Sequence, residues 1–509
     1  DFAGQPGSAC AGPEWSVIRM TECITIFPRT LRHAISPFLY GHFIEHAGGC
    51  VNGGIWVGED SEIPNIKGMR TDTVEALLKL EVPVLRWPGG LFADNYHWMD
   101  GIGPRSQRPV RYNLGWDALE NNHFGTDEFI ALCRLIGAEP YLCCNIGTGT
   151  VEEARSWAEY CNCDKKTTLA DMRRRHGSVE PYGVRFWGIG NEPYYCLDGM
   201  MTTSMYTEVY RRYAGYVKRF ASQDTYMKGE AFQKTKLLAA IADADFLKNM
   251  DLDYVDLIAT HLYSDGKDID PHNPETAYRT LMSDLGRIRK EVERCCALAD
   301  AFSTPDHSID VAVDEWGTWH WGEATPLNGL TQSLTLQDAI FAAACLHIFQ
   351  DQPKVYMANL AQTVNVLQAL IRTDGPAFAL SPTYYVFEMF KPHKTGTVVP
   401  HVKDDGLDNL SVSVTVDRTR TELTVSIVNT DPTRQIPCRL SFADEAVWKL
   451  VRATRLYSPG IREENTFDEP NRIVPECIAH EIADGSTLDM PPHAIVVLSF
   501  RAPDASEAP

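Results

Sequence analysis

The strongest constraint on this chain is a recurrence of short apolar runs that stop abruptly at polar or glycine residues. Eight of them precede residue 386: Phe38–Ile44, Val82–Trp87, Glu139–Cys144, Val184–Ile189, Lys236–Ile241, Val255–Thr260, Ile309–Val313 and Val355–Asn359. Runs of this length bounded by turn residues read as strands buried on both faces, as in a parallel sheet. Helix-like stretches lie between most pairs, for example Thr71–Leu80, Thr126–Ile136, Ser204–Phe220 and Ala277–Cys296. Eight strand-plus-helix units in order predict a (β/α)8 TIM barrel, in which catalytic groups sit at the C-terminal ends of the strands. The fifth and sixth runs start only 19 residues apart, so the unit between them has the least room for a helix.

After Tyr385 the texture changes. Leu410–Val416 and Glu422–Val428 alternate apolar and polar with period two, and Val447–Leu456 and Ile495–Phe500 follow. These read as half-buried antiparallel strands, and together they predict a jelly-roll-like β-sandwich. Val17–Phe27 also alternates and is expected to lend the sandwich a strand. The expected organisation is therefore an N-terminal segment over 1–30, a catalytic barrel over 31–385 and a β-sandwich over 386–509, packed as one body without a long linker.

Charge and composition narrow the partners. Sixty-eight acidic residues against 47 basic ones give a net charge of −21, which repels phosphate backbones and anionic lipid surfaces, so neither nucleic acid nor membrane is expected. The one tight basic run, Arg173-Arg174-Arg175-His176, reads as a solvated face or a structural ion-pair site. The longest apolar stretch, Ala339–Phe349, spans 11 residues, short of the roughly 20 a membrane helix needs. Among the 14 cysteines, Cys143–Cys144 and Cys295–Cys296 are vicinal and several others sit in apolar runs, the pattern of buried thiols. Cys161-x-Cys163 lacks the second half a zinc site requires, so no metal is expected. The start at Asp1, with no basic-then-apolar segment, does not decide localisation; the cytoplasm is the expectation and secretion the alternative. Eleven Trp and 20 Tyr supply flat apolar faces with polar edges, which suit sugars.

Two of the runs end in carboxylates. Run four closes Trp187-Gly-Ile-Gly-Asn191-Glu192-Pro193, and run seven closes Val313-Asp314-Glu315-Trp316-Gly317. The ends of strands four and seven lie across the same barrel mouth, so Glu192 and Glu315 are expected to face each other over a ligand. Two carboxylates about 5–5.5 Å apart form the retaining-glycosidase pair, one attacking the anomeric carbon and the other protonating the leaving oxygen. The plain alternative is that each glutamate merely caps a buried strand. No phosphate loop, dinucleotide fingerprint, H-E-x-x-H or G-x-S-x-G motif offers a competing chemistry.

Further segments join these two: Phe38-Leu-Tyr-Gly-His-Phe-Ile-Glu45-His46, Arg86-Trp-Pro-Gly-Gly90, Tyr96-His97-Trp98-x-Asp100-Gly-Ile-Gly-Pro104 and Leu360-Ala-Gln362-Thr-Val-Asn365. In this order across residues 38–365 they resemble the motifs of glycoside hydrolase family 51. The resemblance implies a barrel with a C-terminal sandwich and retaining hydrolysis of terminal α-L-arabinofuranosyl groups from arabinan, arabinoxylan or derived oligosaccharides. It makes Glu192 the acid/base and Glu315 the nucleophile. Asn191 would bind the sugar 2-hydroxyl, and Glu45 and Gln362 other furanose hydroxyls. Tyr263 would align the nucleophile, His261 would order the hydrogen bonds around it, and Trp98 and Trp319 would wall the pocket. Each has a plain alternative as a core or strand-end residue.

The resemblance also implies no cofactor, a non-reducing-end exo-enzyme acting on an arabinose-containing oligo- or polysaccharide, and a homo-oligomer, commonly a hexamer. Anionic Glu315 is expected to raise the proton affinity of Glu192 until the nucleophile is esterified. Two departures touch the site. Leu91 follows Pro-Gly-Gly where family members often carry Asn or Cys, and Pro193-Tyr194-Tyr195-Cys196 follows Asn191-Glu192 in place of the commoner Met-Asp-Gly or Trp/Gly-rich segments. Cys161–Gly177 is expected to loop over the mouth and contact the leaving group. The competing readings are an endo-β-1,4-glucanase or xylanase of the same family, and a carbohydrate-binding protein without turnover.

Overall fold

The computed structural model describes residues 22–195, 201–224, 227–264, 273–444, 447–482 and 487–502. Residues 17–21 of the expected first strand, and Cys196, lie outside the described residues.

Eight parallel strands close into a barrel. In chain order they are Gly41–Phe43, Val84–Trp87, Glu139–Cys144, Phe186–Ile189, Lys236–Ala239, Leu257–Tyr263, Asp310–Gly317 and Val355–Leu360, hereafter strands one to eight. Closure runs through Asn359 and Leu360 of strand eight, which pair with Gly41 and His42 of strand one. Phe38–Tyr40, expected as strand, forms a 3₁₀ turn with Pro37 at its start; proline fixes φ and offers no N–H to a ladder. The helix expected over Ala277–Cys296 is two, Pro274–Ser283 and Leu285–Phe302, hinged at Asp284. Between strands five and six the chain fits only the five-residue helix Ala244–Lys248 and one 3₁₀ turn.

The barrel is solid below its mouth. Val84, Tyr141, Phe186, Leu238, Leu257, Ala259, Ala312 and Met357, one or two from each of strands two to eight, pack into a floor. Side chains two residues further along a strand point inward again. Floor residues Val84 and Ala312 are thus followed upward by Arg86 and Asp314, which begin the polar layer of the mouth.

The C-terminal sheets enclose a second core. One has six strands, with Leu410–Val416, Glu422–Asn429 and Ile495–Arg501 at its centre; the other has four, and Cys23–Ile26 sits inside it between His401–Lys403 and Ile436–Phe442. The long apolar stretch noted in the sequence lies within the helix Leu336–Gln350, whose 15 residues are all buried between the barrel and the six-stranded sheet. Being covered on every side, it carries no polar face. Its His347 reaches Ser411 at 2.9 Å and Ser426 at 2.7 Å on that sheet. Among the described residues no helix is long and apolar enough to cross a membrane.

The segment 161–177 is not a loop over the mouth. The helix Val151–Asn162 runs into it, and Thr168–Arg175 forms another helix, capped by Thr167. Arg173 is buried and donates to the carbonyls of Tyr160 at 2.7 Å and Cys163 at 2.9 Å, which pins the segment to its neighbour. The described cysteines are all unpaired thiols, and all but Cys23 and Cys477 are buried.

Candidate active site

The mouth is organised around one arginine. Arg86, from strand two, is fully buried; it donates to Glu315 Oε1 at 2.7 Å and Asn191 Oδ1 at 2.6 Å, with Asp314 Oδ2 3.4 Å away. A buried charge must be paired, and Asp314 and Glu315 meet that need from strand seven, with the Asn191 amide oxygen accepting from just past strand four. Asp314 also accepts from Tyr141 Oη and Asn359 Nδ2, both at 2.8 Å.

Adjacent residues of a regular strand face opposite ways, yet Asp314 and Glu315 both face this cluster. The pairing explains why. Val313 pairs with Thr260 and Glu315 with His261, leaving Asp314 as an extra residue on strand seven. Such a bulge re-aims one side chain, here bringing both carboxylates inward.

Glu315 Oε2 accepts from Tyr263 Oη at 2.7 Å. His261 stands between the two expected carboxylates, its Nδ1 2.7 Å from Glu192 Oε1 and 3.5 Å from Glu315 Oε2. One donor atom from each of Glu192, His261 and Glu315 lies within 4.8 Å of the other two, a set that a divalent cation could also use. Burial pushes the His261 pKa down, but Glu315 and Glu192 outweigh it and hold it above the ordinary value. For Glu192, burial pushes up while the His261 hydrogen bond and charge, with Arg86, pull its pKa below the usual value. This corrects the expectation of a raised Glu192: a cationic neighbour intervenes before the charge of Glu315 is felt.

Glu45 forms the opposite wall. Its Oε1 accepts from the backbone N–H of Gly90 at 3.1 Å and Phe92 at 3.0 Å, and Oε2 from Gln362 Nε2 at 2.7 Å. Burial, reinforced by Glu315, raises its pKa against those hydrogen bonds. The Pro88-Gly89-Gly90 turn must be glycine-built, because a Cβ on Gly89 would come 2.6 Å from Glu45 Cγ and one on Gly90 2.7 Å from Glu315 Oε1. Gln362 Oε1 is buried without a hydrogen-bond partner.

Glu45, Asn191, Glu192, His261, Tyr263, Glu315 and Gln362 thus come together through this network. Trp319 borders it, edge-on to Tyr263 at 5.3 Å and stacked on Trp321 at 4.4 Å. Trp98 does not fit its expected place as a wall. It is 2% exposed, packs on Trp157 and Tyr160, and donates its Nε1 to the carbonyl of Glu153. An aromatic in a short turn has no period that tells core from pocket. Sequence reasoning missed Arg86, Asp314, Tyr141 and Asn359 as members of the site. The available signal was Arg86 itself, a charge inside an otherwise apolar strand.

Two family models match the chain: the α-L-arabinofuranosidase 1 domain over residues 76–280 and the α-L-arabinofuranosidase C-terminal domain over 314–494. An intracellular exo-α-L-arabinofuranosidase of Bacteroides ovatus is 35% identical over 506 residues, covering 94% of this chain and 95% of that protein. The crystal structure of the family 51 arabinofuranosidase from Xanthomonas axonopodis pv. citri superposes with a TM-score of 0.84 at 30% identity, over 94% of this chain and all of that one. An arabinose complex of the α-L-arabinofuranosidase from Thermotoga maritima gives 0.81 at 30% identity, with the same coverage.

Proposed function

Since the chain belongs to glycoside hydrolase family 51 and is an α-L-arabinofuranosidase, we propose that it releases terminal arabinofuranosyl groups from arabinan, arabinoxylan or their oligosaccharides by double displacement on Glu315 and Glu192. The observation that carries this reading is the spacing of the two carboxylates, one oxygen of each within 4.8 Å of the other. Inverting enzymes separate theirs by about 6.5–9.5 Å to admit a water, whereas retaining enzymes need about 5–5.5 Å.

Glu315 is the nucleophile in this scheme. Arg86 and Tyr263 each hold one of its oxygens, which keeps it aimed. The attack forms a bond from Glu315 to the anomeric carbon as the bond to the leaving oxygen breaks.

The proton for that oxygen comes from the Glu192–His261 pair, which shares one across its 2.7 Å contact. Glu192 delivers it, leaving the pair with no proton to share. As Glu315 is esterified it loses the negative charge that helped to hold a proton on His261, which favours departure of the proton to the leaving oxygen. The deprotonated pair then takes a proton from the water that attacks the anomeric carbon, the bond from that carbon to Glu315 breaks, and release of arabinose restores both groups.

Asn191, fixed by Arg86, meets the 2-hydroxyl, where a hydrogen bond that strengthens in the transition state accelerates the reaction. Glu45 and the unpartnered Oε1 of Gln362 take further hydroxyls. Assembly into a hexamer belongs to the same proposal and is checked by light scattering.

Proton NMR of the sugar first released from 4-nitrophenyl α-L-arabinofuranoside tests the mechanism. Retention gives α-arabinofuranose first; β-product first would overturn it. Absence of nitrophenol release by folded protein would overturn the activity itself. Viscosity of linear arabinan and carboxymethylcellulose separates the exo reading from an endo-glucanase or xylanase, since only endo cleavage lowers it rapidly.

A further inference from the structure

Glu192 lines a second space besides the furanose pocket. Strand five ends at Ala239, whose pairing with Ile258 is its last, while strand six continues to Tyr263. Five residues at about 3.3 Å each leave a step of roughly 16 Å in the barrel wall. The step is a lateral notch, a cavity of about 390 Å³. Its lining includes Glu192 and His261 at the inner end, Tyr194 and Tyr195 on the strand-four side, and Asp243 and Arg294 further out. Cavities that take small ligands begin at about 300 Å³.

The turn that builds one side starts at Glu192 itself, which has φ +36°, and closes when the Tyr195 N–H donates to the Glu192 carbonyl at 2.7 Å. It carries two tyrosines, Tyr194 and Tyr195. Tyr194 is 37% exposed and Tyr195 73% exposed. The outer end is polar but committed: Glu291 holds Arg294, which also donates to the Ala242 carbonyl, and Asp243 caps the helix Ala244–Lys248.

We propose that this notch is the leaving-group subsite, and that it receives the neutral pentose chain released by the reaction, with Tyr195 stacking on its first ring. The inference rests on the assignment of Glu192 as acid/base. A general acid must lie beside the oxygen it protonates. The departing chain therefore extends on the side of Glu192 away from Glu315, where the wall is open. Aromatic faces beside hydroxyl-binding groups suit an uncharged sugar. Glu192, Asp243 and Glu291 set three carboxylates against Arg294 and His261, and this balance disfavours a uronic acid in the leaving chain.

The test compares kcat/KM for α-1,5-arabinotriose with that for 4-nitrophenyl α-L-arabinofuranoside in wild type, Tyr195→Ala, Tyr195→Phe and Trp321→Ala. In Tyr195→Ala the triose-to-aryl ratio falls about tenfold, the ~1.4 kcal/mol of one stacked ring, mostly through KM. Tyr195→Phe keeps the ring and restores the ratio. An undiminished ratio in Tyr195→Ala, with wild type active on both substrates, overturns the subsite and leaves the activity standing. A fall in Trp321→Ala but not in Tyr195→Ala also overturns it, placing the chain over the stacked tryptophans instead. A wild type inert on both substrates refutes the functional reading beneath.

Discussion

Replacing Tyr263 by Phe removes one hydroxyl from the centre of the site and almost nothing else. The ring stays, with its edge-on contact to Trp319 at 5.3 Å. What is lost is the 2.7 Å hydrogen bond to Glu315 Oε2. The donor is neutral and the acceptor a buried carboxylate, so the bond falls in the charge-assisted class, about 1.5–3 kcal/mol. Tyr263 stays protonated and able to donate, because burial and the Glu315 charge push its pKa well above the ordinary tyrosine value. If the full bond energy is spent aligning the nucleophile in the transition state, kcat/KM falls about 10- to 150-fold at 1.36 kcal/mol per decade. A structural role would lower the yield of folded enzyme and leave the kcat/KM of the folded fraction in place. A positioning role lowers kcat of the folded enzyme itself, because one oxygen of the nucleophile is no longer held. The assay is hydrolysis of 4-nitrophenyl α-L-arabinofuranoside, with the folded fraction measured by circular dichroism. A variant whose kcat/KM lies within about threefold of wild type refutes the reasoning.

Other outcomes follow from the same geometry. Glu315→Gly abolishes turnover on every substrate, whereas Glu192→Ala loses far more activity on oligosaccharides than on aryl arabinofuranosides and is rescued in part by azide; equal losses on both would count against Glu192 as the acid. Prolonged EDTA treatment leaves kcat/KM intact, because Glu192 and Glu315 are already engaged with His261; activity that vanished and returned with a divalent ion would reassign that cluster. Burial pushes the pKa of His42 and of His393 down to about 3. Below pH 6.5 the unfolded chain then binds protons that the native state refuses, so stability falls on acidification, by about 2 kcal/mol per histidine between pH 7.5 and 5. His393→Asn, which can keep the bond to Thr415, flattens that slope in urea titrations at the two pH values. An unchanged slope would mean that this histidine titrates alike in both states.

The barrel was legible because its strands are buried on both faces and so read as uninterrupted apolar runs. Glu139–Cys144 needs no adjustment, nor do the helices Thr71–Leu80 and Thr126–Ile136. The carboxylates were legible for a related reason: an apolar run that ends in an acid places that acid at a strand end, and strand ends share one mouth. What stayed hidden depends on neighbours distant in sequence. That Asp314 and Glu315 face the same way follows from a bulge, which exists only in the pairing with strand six. The lowered proton affinity of Glu192 follows from His261, 69 positions away, and without that distance the charge of Glu315 looks decisive. Trp98 and the segment 161–177 failed for a third reason: short polar-rich stretches between elements carry no period that tells a pocket wall from a packed flank. Their places are set by partners such as Trp157 for Trp98 and the Tyr160 and Cys163 carbonyls for Arg173. The notch beside Glu192 belongs with these. A strand that stops at Ala239 looks unremarkable until the strand beside it is seen to run on to Tyr263, and only then does the turn carrying Tyr194 and Tyr195 acquire something to border.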